Sequence, residues 1–325
     1  MKRRHLRLSL NLQYLFVDIM KMFSQKVTNS LLLFLFFLLH QSHAVLSQSR
    51  FFFSAGGGVV YYNGDLRDKR LLPPAKFFHL MGDVNVGYNI NKHFDLTLNY
   101  YKGKVDCADS LANEEDNIIR NQHFRSKIDE VNLMLRFKLF RIDNKVSFNP
   151  YIMAGFGYLA FNPQGYYNGT WYDLHPLGTE GQYVLNSEEN YPKPYQLHTF
   201  TVPVGFGIMY SINQKWKIKA EFIQHFSFTD YLDDTSTKYP DSSELSAMPN
   251  GYYATIFSSR RLDGFPAFRR NRGHAGANDN YVNISIGVVY NPARKKSYEF
   301  RRMNIFSRFF SGKKGWWGNK GNGLK

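Results

Sequence analysis

An all-β fold, an eight-stranded antiparallel up-and-down transmembrane β-barrel, is what this 325-residue chain predicts, and three observations carry it. Eight segments alternate bulky apolar residues with polar or small ones, the period of two that gives a strand one greasy face. The gaps between these segments run alternately long and short, as in a barrel whose hairpin turns sit at one end and whose loops sit at the other. An apolar run, Leu31 to Leu39, precedes them all. It is too short to span a bilayer, which takes about 20 residues. Lys21 and Lys26 stand before it and Ser42-His43-Ala44 or Val45-Leu46-Ser47 after it, the layout of a secretion signal. The expected organisation is a signal over 1–47, a barrel over 48–291 and a basic periplasmic tail over 292–325. Met20 or Met22 would begin a signal of ordinary length, and on that reading 1–19 is expected to be an over-called start.

The first strand is expected at about 50–62, with Gly56-Gly57-Gly58 permitting a tight bend. The second, about 77–90, sets Leu80, Val84, Val86 and Tyr88 against Met81, Asp83, Asn85 and Gly87. A turn through Asn91-Lys92-His93 leads to the third, about 94–102, where Leu96, Leu98 and Tyr100 oppose Asp95, Thr97 and Asn99. The fourth, about 126–140, opposes Val131, Leu133, Leu135 and Phe137 to Glu130, Asn132, Met134, Arg136 and Lys138. The fifth is expected at about 147–161 and the sixth at about 197–212, where Pro203 lacks a ladder donor and predicts a bulge. A turn at Asn213-Gln214-Lys215 joins the seventh, about 216–229, and a loop of some fifty residues precedes the eighth, about 280–290. Tyr88, Tyr100, Tyr101, Tyr158, Tyr210, Trp216, Phe228, Tyr281 and Tyr290 fall near strand ends and predict interfacial girdles.

Mean hydropathy of −0.41 excludes a multi-helix membrane protein but suits a barrel, half of whose strand residues are polar. A soluble lipocalin-like barrel would need the bulky parity inside. A narrow eight-stranded lumen instead takes the small and polar parity. The net charge of +15 is concentrated in 1–47 and 292–325, leaving the barrel region nearly neutral, so it does not argue for nucleic-acid binding. Cys107 is the sole cysteine, which rules out an intrachain disulfide.

No nucleophile–base motif, zinc spacing or phosphate-binding loop is present, and no cofactor is expected. Asp230, Asp233 and Asp234 open the largest loop, with Glu180 and His225 as candidate neighbours. Such carboxylates suit rim hydrolysis on one reading and loop capping, turn formation or cation bridging to lipopolysaccharide on the other. Asp83, Asp95, Glu130, Arg136, Lys138, Lys217, Lys219 and Glu221 are expected in the lumen, as a channel lining or as a paired plug, and eight strands favour the plug. In the tail, Phe300, Met303, Phe306 and Phe310 share a helical face with Arg301, Arg302 and Arg308 interspersed. That pattern suits acidic lipid or an acidic partner.

The junctions between strands carry a resemblance. Gly64-Asp65-Leu66, Arg120-Asn121, Phe124-Arg125-Ser126, Pro150-Tyr151, Phe161-Asn162-Pro163 and Trp171-Tyr172 are among the pieces. The more specific runs are Pro176-Leu177-Gly178-Thr179-Glu180-Gly181-Gln182 and Asp230-Tyr231-Leu232-Asp233-Asp234. Together they resemble a family of Bacteroidota outer-membrane barrels that includes PorG of the type IX secretion system. The resemblance covers about 50–290. It implies a non-catalytic barrel with a structural or assembly role in protein secretion, and periplasmic ring proteins like PorK and PorN as partners. A surface-binding or adhesion barrel acting through the 162–196 and 230–279 loops is the alternative.

Overall fold

The structure, a computed structural model, describes residues 50–64, 74–111, 115–140, 148–185, 187–213 and 215–292. The signal segment, Asp65, Leu66 and the tail residues Arg301, Arg302, Phe306, Arg308 and Phe310 lie outside the described residues.

Nine strands form one antiparallel sheet: β1 (Phe51–Asn63), β2 (His79–Asn89), β3 (Phe94–Ala108), β4 (His123–Lys138), β5 (Phe148–Tyr167), β6 (Thr170–Asp173), β7 (His198–Ser211), β8 (Trp216–Ser227) and β9 (Asn280–Tyr290). Each strand pairs with its sequence neighbour, β5 passes on to β7, and β9 returns to β1, so eight strands close into a barrel. Strand β6 is a short flap that pairs only with the outer end of β5. Closure leaves no free sheet edge in the wall.

The turns that join β2 to β3 and β7 to β8 share one device. Ile90-Asn91 and Ile212-Asn213 each follow directly on a strand, and the asparagine Oδ1 accepts two amides ahead of it. Asn91 takes those of His93 and Phe94 at 2.8 and 2.9 Å. Asn213 takes those of Lys215 and Trp216, both at 2.8 Å. An asparagine that folds its own loop needs no further residues to reverse the chain.

The predicted parity governs every barrel strand. Leu80 is 83% exposed and Phe156 77%, whereas Asn99 is 2% and Glu130 1%. Around the outside, Leu98 sits opposite Leu133, Leu133 opposite Phe156, Phe206 opposite Phe222 and Phe222 opposite Ile284, a continuous apolar belt. Such a surface is stable against hydrocarbon and not against water. No helix of the described residues is long and apolar enough to cross a membrane; the strands do the crossing.

The structure corrects several expectations. The Gly56-Gly57-Gly58 run interrupts nothing, because β1 pairs through it with both β2 and β9 in unbroken register. Pro203 makes no bulge. The β5–β7 ladder lapses opposite Gly155 and Phe156 and resumes at Gly157↔Thr201 in the same register, so the missing N–H costs rungs and no residue is inserted. Tyr101 and Tyr281, expected in the girdles, are buried in the lumen because each lies on the inward parity. The remaining girdle residues do flank the belt; Trp216 and Tyr290, for example, lie with ring centroids 4.7 Å apart. The inward face is also less uniformly small than expected. Val60, Val105, Phe124, Ile128 and Leu159 form an apolar layer toward the long-loop end.

That end is built up. Strands β3, β4 and β5 run further than expected, and the loops hold three helices, α1 (Glu115–Arg120), α2 (Ser242–Ser246) and α3 (Gly251–Ser258). Asp241 starts α2 by accepting the amides of Ser243 and Glu244. Leu174, Leu177, Leu245, Ala254 and Phe257 pack into a small core of their own above the barrel.

Candidate functional site: a filled lumen beneath a locked loop cap

Strand parity places the lumen charges, and pairing decides what they do. Lys219 lies at the centre of the first group. Its Nζ donates to Asp83 Oδ2 and Glu221 Oε2, both at 2.8 Å, and to Asn85 Oδ1 at 3.3 Å. Glu221 Oε1 accepts from Arg136 Nη2 at 2.9 Å and from the Tyr151 hydroxyl at 2.8 Å. The Arg136 guanidinium lies 4.5 Å from the centroid of the Tyr151 ring. Nearer the short turns, Lys138 pairs with Asp95. Toward the cap, Glu130 faces His225 Nδ1 at 3.0 Å and accepts from Asn132 Nδ2 at 2.6 Å and from the Tyr281 hydroxyl. Asp83, Asp95, Glu130, Arg136, Lys138, Lys219 and Glu221 are all nearly inaccessible. Charges withdrawn from water survive only when paired and hydrogen-bonded, and here they fill the tube.

The second constellation joins loops far apart in sequence. The segment Gly178–Gln182 is held by two left-handed glycines, Gly178 at φ 65° and Gly181 at φ 85°. Pro176 sits in the short helical turn His175–Leu177 before it, and Leu177 enters the small core above the barrel. Between the glycines, Thr179 and Glu180 point into the protein. Glu180 Oε1 accepts the amides of Ser236 and Thr237 at 2.9 and 3.1 Å, and Oε2 accepts the Thr237 hydroxyl at 2.7 Å. Gln182 Oε1 accepts the Glu180 amide at 2.9 Å. Arg272 shares the first of these oxygens, with Nη1 3.0 Å from Glu180 Oε1. It also reaches Asp234 and donates from Nε to the Ser258 carbonyl at the end of α3, 3.0 Å away.

Asp234 accepts from the Thr179 hydroxyl and from Tyr195 at 2.7 Å, and the Tyr195 ring stacks on Tyr231 at 4.3 Å. Asp233 accepts from the Tyr62 hydroxyl at 2.8 Å and from the Thr235 amide at 2.8 Å. Leu232 and Asp230 are buried beside them. Burial raises the Asp234 carboxyl above the usual range despite the opposing pull of Arg272. Burial works against the Arg272 charge, but Glu180 and Asp234 outweigh it and hold its proton more firmly. A third pair stands apart. Asp109 takes both Nε and Nη2 of Arg120, at 2.7 and 2.8 Å, and the Gln122 amide at 3.0 Å.

The two specific runs of the sequence therefore meet through Arg272, a residue the sequence did not single out. Arg120 belongs to one of the junction pieces, but the sequence assigns no role to it, to Asp109 or to Tyr195. Each lies between or beyond the alternating segments, with no periodic signal. His225 is a correction. It does not join Asp230, Asp233 and Asp234 at the rim but stands in the lumen between Glu130 and Asn283, because its β8 parity is inward. Gly64 closes β1 at the base of the cap. Among the described residues no group of three or more His, Cys, Asp and Glu is arranged to hold a metal ion.

A closed eight-stranded barrel with an apolar outer belt, a charge-filled lumen and its long loops at one end belongs to the outer-membrane class. More particularly, the chain belongs to the outer membrane protein beta-barrel domain family, whose model matches residues 30–248. That family resides in the outer membrane of Gram-negative envelopes. No curated protein matches the chain. Among solved structures, Neisserial surface protein A is 10% identical with a TM-score of 0.37, over 75% of this chain and 97% of that one. Ail, the attachment invasion locus protein of Yersinia pestis, is 10% identical with a TM-score of 0.35, over 75% and 98%. The N-terminal barrel of Pseudomonas aeruginosa OprF is 10% identical with a TM-score of 0.33, over 74% and 98%.

Proposed function

We propose that this barrel is a non-catalytic structural or assembly component of the outer membrane, acting as PorG does in type IX protein secretion. The observation that carries the reading is the Glu180–Arg272–Asp234 cluster, which welds two long loops into one fixed cap over a lumen already filled by ion pairs. Such a molecule suits a rigid platform better than a pore. It also suits a platform better than a rim hydrolase, since Asp233 and Asp234 already hold tyrosine, threonine and arginine partners. On this reading the partners are periplasmic ring proteins of the PorK and PorN kind, met by the short-turn side and the basic tail. Deleting the gene should strand secreted proteins in the periplasm, and in-cell crosslinking should join the barrel to periplasmic proteins. Normal secretion in the deletion strain would overturn the reading.

A surface-binding role is the second reading. It is favoured by the exposed apolar side chains of the cap loops, Leu185 at 83%, Leu262 at 69% and Tyr252 at 66%. It expects intact secretion and lost surface attachment when these three are replaced by serine.

A further inference from the structure

Beyond the edge of the apolar belt, the outward face of β3 and β4 holds two cations where a sheet has reason to avoid them. The register pairs Lys104 directly with Lys127. Lys104 shares the parity of Tyr100, and Lys127 that of Val131, so both leave the barrel on its outer surface, where both are exposed. Residues opposed in this way have Cβ atoms about 4.5–5.5 Å apart, and like charges there destabilise the sheet.

The neighbours are already satisfied and leave the two lysines uncompensated. Toward the belt, Lys102 lies opposite Asp129 and donates to its Oδ1 at 2.8 Å. Away from the belt, Arg125 lies opposite Asp106, but Asp106 faces His79 and His123 at 3.7 and 3.3 Å. Arg125 is held instead by Gln164 Oε1 at 2.8 Å, with its guanidinium 4.0 Å over the Trp171 ring. Among the described residues, neither Lys104 nor Lys127 makes an ion pair.

The height of the pair indicates what compensates it. Lys104 is four residues past Tyr100. At about 3.3 Å per residue on a strand tilted about 40°, that is about 10 Å beyond the aromatic edge, within the headgroup layer of the long-loop side. Continuing the β2–β3 register two residues past Gly82↔Lys102 sets the exposed Leu80 on the other flank of Lys104, so the cations border an apolar surface. A soluble anion has no use for that surface, whereas a lipid does.

We propose that Lys104 and Lys127, flanked by Arg125, bind the phosphate of an outer-leaflet glycolipid. The anion neutralises the cross-strand repulsion, and the acyl chains run down the belt beside Leu80.

The test uses the full chain extracted in mild detergent and titrated with bisphosphorylated lipid A, with the same lipid stripped of phosphate, and with inorganic phosphate. Binding is read by native mass spectrometry, and stability by the temperature at which the barrel loses its compact migration on a gel. The wild type should retain the phosphorylated lipid and gain heat stability from it. Lys104→Gln combined with Lys127→Gln should weaken retention by about tenfold or more, the scale of a lost charge-assisted contact. Without lipid, the same double variant should unfold no lower than wild type, because a repulsion has been removed. Lys92→Gln, in the exposed turn at the other end, should bind as wild type. Should the double variant fail to fold, Lys104→Glu, which turns the repulsion into an opposite-charge pair, should show the same loss. Wild-type affinity in these variants, equal retention of the phosphate-free lipid, or a full stability gain from inorganic phosphate alone would overturn the proposal.

Discussion

Gly56 and Gly287 stand directly opposite each other in the β1–β9 ladder, and the space their missing side chains leave is taken by the Asp83–Lys219 ion pair. A Cβ on Gly56 would lie 2.6 Å from Asp83 Oδ1, and one on Gly287 would lie 2.7 Å from Lys219 Cε and 2.8 Å from the Ala55 carbonyl. The backbone oxygen cannot swing aside as a lysine stem can. Gly287→Ala should therefore destabilise the barrel by about 1–3 kcal/mol, the usual cost of overpacking. Urea unfolding in micelles, followed by tryptophan fluorescence, checks it. An unchanged midpoint would show that the wall yields.

Removing the central cation should cost more. Lys219→Met leaves Asp83 and Glu221 buried with one partner fewer, a loss of about 3–5 kcal/mol when a buried pair is broken from one side. Adding Asp83→Asn to Lys219→Met should recover part of that loss, since Arg136 still serves Glu221. A double-mutant cycle on unfolding midpoints measures the coupling.

The cap should come apart without the barrel. Arg272→Met strands Glu180 and Asp234 in the protein interior, so the loops spanning 178–182 and 230–279 should open to protease while the strands stay protected. Limited proteolysis with mapping of the cut sites distinguishes this from global unfolding, which would release fragments from β3 and β4 as well.

Acid should tighten that same cap. Because burial raises the Asp234 carboxyl in the folded state, the closed cap binds its proton more strongly than the open one. The associated stability is fully present below the ordinary carboxyl value of 3.8 and is lost as pH rises through the higher folded value. Hydrogen exchange at Thr235 and Ser236, corrected for intrinsic rate, should slow as pH falls from neutral toward mild acid. Asp234→Asn should abolish that dependence.

What could be read directly from the sequence was whatever repeats along the chain. Alternation in Leu96-Thr97-Leu98-Asn99 assigns each side chain to hydrocarbon or lumen, since a strand has only two faces. The paired Ile-Asn turns mark where two hairpins reverse. Tyr101 and Tyr281 show the limit of composition: aromatic type suggested the girdle, but parity sent both inside. The closed tertiary structure decided the rest. Whether Lys219 on β8 finds Asp83 on β2, and Glu221 on β8 finds Arg136 on β4, depends on closure facing non-adjacent strands across one lumen, and whether Glu180 finds Arg272 depends on loops 92 residues apart in the chain. Those partnerships leave no periodic trace because one contact in a loop recurs nowhere. Strand faces follow from local geometry, whereas the choice of ionic partner follows from closure of the wall and desolvation of its interior.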